Sequence, residues 1–373
     1  MTMTLSASAP ATATRPVITA WSAVSPYGIG KDRFVSGVLA GQDTSTPLDS
    51  QEWAAPDSHA CLIPGFALRE VLGKKGTRSM DRVTGLAVTA VRDLLRDSGD
   101  RRTASDEETA LVLGTTTGSA QSMMDFTRAS LEGDKPFYVD PSLMPNAVMN
   151  CAAGQCAIWH NLKGPNTTIA GGRVAGLSAL SYAAGLLASG RARTVLSGAA
   201  EEFSDARAWL DHHRRGEDGA GALLGEGCAM FMLESADPAD AADRALAEVL
   251  AIQSRVYFDG DPGEALAACV DAVLRRGGVE RDDVWAVSAS GLAGSAGTRE
   301  REVLTARFGA QVLDRAPAMS LVGDTAAASA AFQIGSLLAA AEQSAAPAGA
   351  VALVSSVDDN GVVACAALRL SAR

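Results

Sequence analysis

The sequence lacks any long apolar run, since no uninterrupted stretch reaches the roughly 18–20 residues of a membrane-spanning helix. It is also poor in positive charge, because 43 acidic residues outnumber 32 Lys and Arg residues and leave a formal net charge of −11. This balance argues against non-specific binding to nucleic acid and against attachment to anionic membranes. An acidic partner would therefore need a local basic patch, on this chain or on a neighbouring one.

Cysteine and histidine are scarce and show no metal-binding spacing. The six cysteines contain no CxxC pair, and the four histidines form no ligand pattern with them, so no metal is expected. We interpret the cysteines as small buried hydrophobic side chains in a reducing cytoplasm. A glycine-rich segment at 291–297 lacks the Lys-Ser/Thr of a phosphate-binding loop and the full dinucleotide pattern, so no cofactor is expected. The cysteines are Cys61, Cys151, Cys156, Cys228, Cys269 and Cys365, and the histidines are His59, His160, His212 and His213.

Alternating strand and helix patterns divide the chain into two halves behind a short tail. Residues 1–14 are rich in Ala, Thr and Ser and have no basic segment, which favours a flexible tail over a signal peptide. One half spans 15–235 and the other 243–373, with an Ala-, Asp- and Pro-rich stretch between them. The pattern predicts a layered α/β architecture, in which helices lie between or around buried sheets. We expect a soluble, cytoplasmic protein.

The predicted elements follow from apolar periodicity and from turn residues. A polar, proline-containing surface loop is expected at 42–64. Strands are predicted at 16–21, 110–114, 167–170, 194–200, 225–234, 245–256, 284–290, 318–322 and 362–370, and close to residue 350. Helices are predicted at 31–41, 81–97, 120–131, 175–188, 263–276, 300–308 and 326–341.

A sharp turn at Gly172-Arg173-Val174 joins the strand predicted at 167–170 to the apolar helix predicted at 175–188. In a nucleophile elbow of this kind, the residue at the bend meets oriented backbone N–H groups, which lower the pKa of a thiol and help to bind an oxyanion. Arg173 occupies the bend, and its guanidinium stays protonated and acts only as a donor. The junction therefore has the frame of an acyl-transfer site without a nucleophile.

Several stretches, in order and over almost the whole chain, resemble the β-ketoacyl synthases of the thiolase superfamily. They include a Ser-Pro-x-Gly turn, a helix of the PxxxxNxxAG type and a Leu-Gly-Glu-Gly turn. The resemblance implies a thiolase-like layered αβαβα fold built from two similar halves. It also implies a condensation site with one cysteine and two histidines. The matching stretches are 15–41, 113–118, 145–154, 162–166 and 224–227.

Position by position, the resemblance places the three catalytic roles on Arg173, Ser290 and Asp324. Arg173 holds the place of the cysteine, whereas Ser290 and Asp324 hold the places of the two histidines. A negative charge at Asp324 would oppose the oxyanion that forms on a thioester carbonyl and would raise the barrier. A glycine-rich loop of the family is replaced by the segment 355–360. We therefore expect no catalytic residue in this chain.

A synthase degenerate at these positions resembles the chain length factor, or ketosynthase β subunit, of type II polyketide synthases. That subunit forms a heterodimer with an active ketosynthase, which an acyl carrier protein serves, and it shapes the pocket for the growing chain. Members that make aromatic products usually carry glutamine in place of Arg173, so a reduced, polyene product is left open. The family's chain-length positions fall on one predicted helix, at Gln121, Met123, Met124, Thr127 and Arg128. Ordinary interface or core packing is the alternative interpretation of these five residues.

Other interpretations remain open at two further places. A buried Arg173 needs a counter-charge, for which Asp324 is the first candidate and Glu201 or Glu202 the alternatives, although Asp324 is equally suited to capping the helix that follows it. The run 212–215 is either a solvated basic edge or a contact for a carrier or partner protein.

A different function is also open, namely an acyltransferase or hydrolase that uses another nucleophile, Cys151 or Cys156. A homodimeric acyl-binding module is the third alternative.

Overall fold

The protein is described by a computed structural model over residues 15–99, 104–215, 221–235, 244–258, 260–344 and 346–371. The strands are β1 (Pro16–Ser25), β2 (Gly28–Ile29), β3 (Thr46–Pro47), β4 (His59–Ala60), β5 (Thr109–Thr115), β6 (Asn166–Ala170), β7 (Thr194–Glu201), β8 (Gly227–Ser235), β9 (Ala247–Val256), β10 (Val284–Ser288), β11 (Val351–Asp358) and β12 (Val362–Leu370). The α-helices are α1 (Lys31–Leu39), α2 (Leu68–Val71), α3 (Arg82–Ser98), α4 (Ala120–Glu132), α5 (Cys151–His160), α6 (Ala175–Ala188), α7 (Asp205–Arg214), α8 (Gly263–Gly277), α9 (Gly294–Phe308), α10 (Ala310–Leu313) and α11 (Ser329–Gln343).

The main strands form one mixed sheet path in the order β10-β11-β12-β9-β1-β8-β7-β5-β6. The two halves meet where β1 pairs with β9 through Val17 and Ile18. In the first half the main strands lie in the order β6-β5-β7-β8-β1, and in the second half they lie in the order β10-β11-β12-β9. Numbered along each half, the first order is third, second, fourth, fifth, first, and the second half repeats it without a third strand. Parallel and antiparallel pairings also correspond between the halves. The fold is therefore the expected α/β fold of two similar halves.

The strand predicted at 318–322 is wrong, because this segment forms the 3₁₀ helix Met319–Val322. Its backbone is satisfied by short-range bonds, since Gly323 N donates to Ser320 O over 3.2 Å. The hydroxyl of Thr44 donates to Leu321 O over 2.6 Å and fixes the turn from outside. With its third strand missing, the second half ends at β10, which becomes an edge of the described sheet.

Helices α6 and α11 lie in the central layer and share one apolar cluster with strands of both halves. Small side chains allow this close packing, as a Cβ on Gly176 of α6 would meet Ala327 O at 3.0 Å. Helices α3 and α5 cover the outer side of the first half, and α8 and α9 cover that of the second. These layers give the expected αβαβα order, with the end of β6 leading into α6 at the centre of the molecule.

The other predicted elements are present, with shifted bounds. Helix α9 begins at Gly294 instead of residue 300, so the glycine-rich segment 291–297 is partly helical. The region predicted as a loop at 42–64 contains the short β3–β4 pair, which lies next to the buried Cys61. The tail 1–14 and most of the boundary between the halves lie outside the described residues. Within the described ranges, no helix is long and apolar enough to cross a membrane.

Candidate functional site

The predicted elbow is confirmed as a strand, a tight turn and a helix. Strand β6 ends at Ala170, the 3₁₀ turn Gly172–Val174 follows, and α6 starts at Ala175. Gly172 has a φ of +62°, and a Cβ there would clash with Asp358 Oδ2. Only glycine fits this position, because it tolerates both the left-handed backbone and the close approach of the carboxylate.

The side chain of Arg173 points into the protein and is 6 % exposed. Its Nη2 donates to Asp324 Oδ2 over 2.6 Å, which confirms the predicted ion pair. The second oxygen, Asp324 Oδ1, accepts from Ala326 N over 2.8 Å at the start of the 3₁₀ turn before α11. The carboxylate of Asp324 thus binds the guanidinium and a nearby backbone N–H, but it is not the N-cap, because Thr325 holds that position and neither this turn nor α11 has a side-chain capping bond.

Charge, not burial, decides the protonation of this pair. Burial alone would raise the pKa of Asp324, but the positive charges of Arg173 and Arg207 lower it to about 2. Burial likewise opposes the charged form of Arg173, yet the carboxylates of Asp324, Glu300 and Asp358 raise its pKa. Both partners therefore stay ionised near neutral pH, and the guanidinium is surrounded by three acidic side chains.

Arg207 on α7 fixes the backbone beneath the ion pair. Its guanidinium donates to the carbonyl oxygens of Glu202, Gly225 and Asp324 over 2.8, 2.7 and 2.7 Å. These bonds join α7, the approach to β8 and the turn that carries Asp324. Sequence reasoning missed this role, because three carbonyl acceptors leave no pattern in the side chains.

Ser290 belongs to a separate buried network centred on Glu300. Its N–H and its hydroxyl donate to the two oxygens of Glu300 over 3.0 and 2.5 Å, and the hydroxyl of Ser355 also donates to this carboxylate. Burial raises the pKa of Glu300. The hydroxyl hydrogen of Ser290 is therefore bonded to the carboxylate of Glu300. A serine hydroxyl is also a weaker donor than the histidine whose place the resemblance gives it.

Asp358, at the end of β11, binds the turn itself. Its Oδ2 accepts the backbone N–H of Arg173 over 2.6 Å, and the hydroxyl of Ser356 donates to Arg173 O over 3.1 Å. Sequence reasoning noted only that the segment 355–360 replaces a glycine-rich loop. An acidic residue in that replacement was the available signal.

The alternative partners of Arg173 are engaged elsewhere. Glu201 accepts from the hydroxyl of Thr116 over 2.6 Å, and Glu202 accepts from Ser119 Oγ and Val83 N over 3.0 and 3.2 Å. Burial and the nearby charge of Asp81 raise the pKa of Glu202 to about 7. The two glutamates thus hold the loops around the site, and Asp324 holds Arg173.

The alternative nucleophiles lie in unfavourable surroundings. Burial raises the pKa of both Cys151 and Cys156. Cys151 Sγ donates to Asn146 Oδ1 over 3.3 Å, while the ring of His160 contacts Val88 O. Reactive cysteines need a lowered pKa and a partner base, so neither thiol is activated for acyl transfer. Among the described residues, no group of three or more His, Cys, Asp or Glu could hold a metal ion.

The five predicted chain-length residues all lie on α4, near the surface. Met123 and Met124 are half-buried, and Thr127 and Arg128 are exposed. Gln121 Oε1 accepts from Ala206 N over 3.0 Å, which ties α4 to the start of α7. The role of these residues stays a prediction.

The basic run 212–215 is neutralised within the chain. Arg214 binds Asp359 over 3.0 Å, and Arg215 binds Asp57 and Asp211 over 2.9 and 2.6 Å. These ion pairs favour the interpretation of a surface edge over that of a docking patch for an acidic partner.

The fold and the elbow define a thiolase-like, synthase-type protein. Residues 14–239 match the family model for the N-terminal domain of β-ketoacyl synthases, and the chain belongs to this family. The chain is 26 % identical to the 3-oxoacyl-[acyl-carrier-protein] synthase 2 of Rhizobium meliloti (strain 1021) over 320 residues, 77 % of this chain and 76 % of that one. It is 27 % identical to a β-ketoacyl synthase for the oxytetracycline polyketide of Streptomyces rimosus over 311 residues, 75 % of this chain and 73 % of that one.

Solved structures give a nearer relative. A chain of the ishigamide ketosynthase/chain length factor is 49 % identical, has a TM-score of 0.90 and aligns with 96 % of this chain and 99 % of its own. A type II polyketide synthase ketosynthase in complex with its acyl-carrier protein has a TM-score of 0.76 at 18 % identity, over 96 % of this chain and 99 % of that one. The second likeness shows the shared fold alone.

Proposed function

We propose that this chain is a non-catalytic chain length factor. It pairs with an active ketosynthase in a type II polyketide synthase and shapes the pocket that receives the growing chain. The observation that carries the proposal is the buried ion pair between Arg173 and Asp324 at the elbow. The pair fills the place where the resemblance puts the nucleophile and one histidine.

The chemistry of the three positions supports a site without catalytic activity. Condensation needs a thiolate to carry the acyl chain and donors that stabilise charge on the thioester oxygen. Arg173 is no nucleophile, Asp324 is an ionised carboxylate with its pKa lowered to about 2, and Ser290 is committed to Glu300. Each change would raise the barrier to condensation, and together they leave no group for acyl transfer.

The relatives carry two kinds of name, synthase and ketosynthase/chain length factor. The curated relatives near 26 % identity are named as synthases, whereas the solved relative at 49 % identity is named as a ketosynthase/chain length factor. The family alone therefore allows an active enzyme, and the residues at the three positions favour the non-catalytic subunit.

A partner surface is available beside the elbow. Strand β6 pairs with β5 along one side and forms the other end of the described sheet path, so its second side is an open edge. Large apolar side chains are exposed at the end of α4 and on the segment that follows it, and such clusters commonly mark protein interfaces. These side chains are Leu131, Phe137, Tyr138, Leu143, Met144, Val148 and Met149. We assign this surface to the ketosynthase, with the acyl carrier protein served through the complex.

Helix α4 leads directly into that surface. We assign a chain-length role to Gln121, Met123, Met124, Thr127 and Arg128, with the two flexible methionines closest to the product. The arginine at residue 173, in place of the glutamine of aromatic systems, favours a reduced, polyene product.

Coexpression tests the proposal. The chain is produced alone and together with a ketosynthase that retains its cysteine and two histidines. We expect poor solubility alone, a stable one-to-one complex on coexpression, and polyketide only from the complex. Turnover by the isolated chain that is abolished by thiol alkylation would instead favour an acyltransferase or hydrolase.

A further inference from the structure

Asp358 contacts a backbone N–H of the kind that an acyl-transfer elbow uses to bind an oxyanion. The N–H of Arg173 lies at the bend before α6 and donates to Asp358 Oδ2 over 2.6 Å. Backbone N–H groups at the first turn of a helix have no intrahelical acceptor and favour an anion. Here the anion is a side chain of the same protein, 185 residues away in sequence.

The carboxylate is held in place from several sides. Asp358 Oδ1 accepts from Asn360 N and Nδ2 over 2.8 and 2.7 Å, and the hydroxyl of Tyr257 donates to Asp358 O over 2.8 Å. Asp358 is 5 % exposed. The surrounding residues therefore fix the conformation of the Asp358 side chain against the turn.

The turn is shaped to admit this carboxylate. The close approach of Oδ2 that makes the bond to Arg173 N also leaves no room for a Cβ on Gly172. A cation on the residue at a helix N-terminus is also unfavourable, and Asp358 supplies the negative charge that offsets it.

We propose that Asp358 is a built-in anion that occupies the oxyanion-binding position of the elbow. The inference rests on the proposed function and extends it. The chain has lost its nucleophile and, separately, the place where a thioester oxygen would bind. Restoring the cysteine and the histidines alone would therefore not restore an oxyanion site.

A thiol introduced by Arg173→Cys reports on this anion. In that background, the carboxylates of Asp358, Asp324 and Glu300 all oppose the thiolate, and Arg207 is the nearby cation. Asp358→Asn removes the charge that is bonded to the backbone N–H of the same residue. We expect the rate at which iodoacetamide alkylates the introduced thiol at pH 7, followed by peptide mass spectrometry, to rise on the order of tenfold, as for a one-unit drop in pKa.

Asp359→Asn in the same Arg173→Cys background is the matched control, because it removes the same charge from the next residue. Asp359 binds Arg214 at the surface and is about half exposed. Its replacement should leave the alkylation rate within about twofold. Equal rates with and without Asp358, or an equal rise in the Asp359→Asn control, would overturn the proposal.

A direct test uses bromide as the probe. The chain with Asp358→Ala is crystallised in sodium bromide, alone if it is soluble and otherwise in the coexpressed complex. These crystals should show a bromide within hydrogen-bond distance of Arg173 N, and the matching wild-type crystals should show Asp358 there. No bromide at the turn of the variant would overturn the proposal. If Asp358→Ala does not fold, the isosteric Asp358→Asn alkylation decides. Both measurements read this chain's own turn, whether the chain is alone or in the complex, and neither depends on product formation, so this inference and the proposed function fail separately.

Discussion

Arg173 Nη2 and Asp324 Oδ2 lie 2.6 Å apart in the interior of the protein, between the elbow and the turn before α11. Two segments to which the resemblance assigns one catalytic position each are thereby joined by a salt bridge. A buried pair costs desolvation energy, which is recovered only if both charges are well bonded. Here Asp324 also receives Ala326 N, and Arg173 is close to two further carboxylates.

Breaking this pair from one side should be costly. Arg173→Met leaves three acidic groups without their cation, and we expect it to lower the free energy of unfolding by about 3–5 kcal/mol. Asp324→Asn in the same chain keeps an oxygen that accepts from Ala326 N and removes one charge. Denaturant unfolding of both single variants and the double variant gives the coupling. Strictly additive effects would show that the pair is not energetically linked.

Any side chain at Gly172 should lower the stability of the protein. Gly172→Ala combines an unfavourable positive φ with a clash against Asp358, and we expect a loss of roughly 2 kcal/mol or more. Gly171→Ala is the matched control, because its φ is −151° and its Cβ would have no neighbour closer than 3.9 Å. That change should cost less than about 1 kcal/mol. Similar losses for both variants in thermal unfolding would contradict the assigned geometry.

Glu202 should make stability depend on pH. Its pKa is raised from 4.5 to about 7, so its contribution to folding is greatest below pH 4.5 and declines as the pH rises through 7. We expect the free energy of unfolding of the wild type to fall by about 1–3 kcal/mol relative to Glu202→Gln between pH 5 and 8. The exposed Glu132→Gln should leave the wild-type slope unchanged. Parallel curves for wild type and Glu202→Gln would refute the shift.

The chain-length role of α4 predicts a change in product. Met124→Trp fills space beside the growing chain, so the complex should release a shorter polyketide, seen by mass spectrometry. Met124→Leu nearly conserves volume and should keep the native length. An unchanged product from a folded, assembled Met124→Trp complex would assign Met124 to ordinary packing.

Local patterns explain most of the predicted fold. The elbow was predictable because a β-prone strand, a turn that begins with two glycines and an apolar helix lie next to each other in sequence. The segment 318–322 has a strand-like composition, but its backbone forms short-range bonds and contacts Thr44, which no local pattern encodes. The strand was therefore predicted wrongly.

The site was predictable only in part, for a similar reason. A buried guanidinium needs an acid, and the resemblance pointed to Asp324 as the partner of Arg173, because the family's fold brings these two positions into one pocket. Asp358 and Arg207 reach the same site through backbone N–H and carbonyl groups. These groups are present at almost every residue, so the sequence does not reveal which of them a distant side chain will bind.

Product formation by the assembled complex tests the central claim most directly. The nucleophilic cysteine of the partner ketosynthase is replaced by alanine, and polyketide release is measured with this chain unchanged. The proposed function predicts that all condensation is lost, because this chain supplies no nucleophile. Persistent polyketide from that complex would contradict a non-catalytic role.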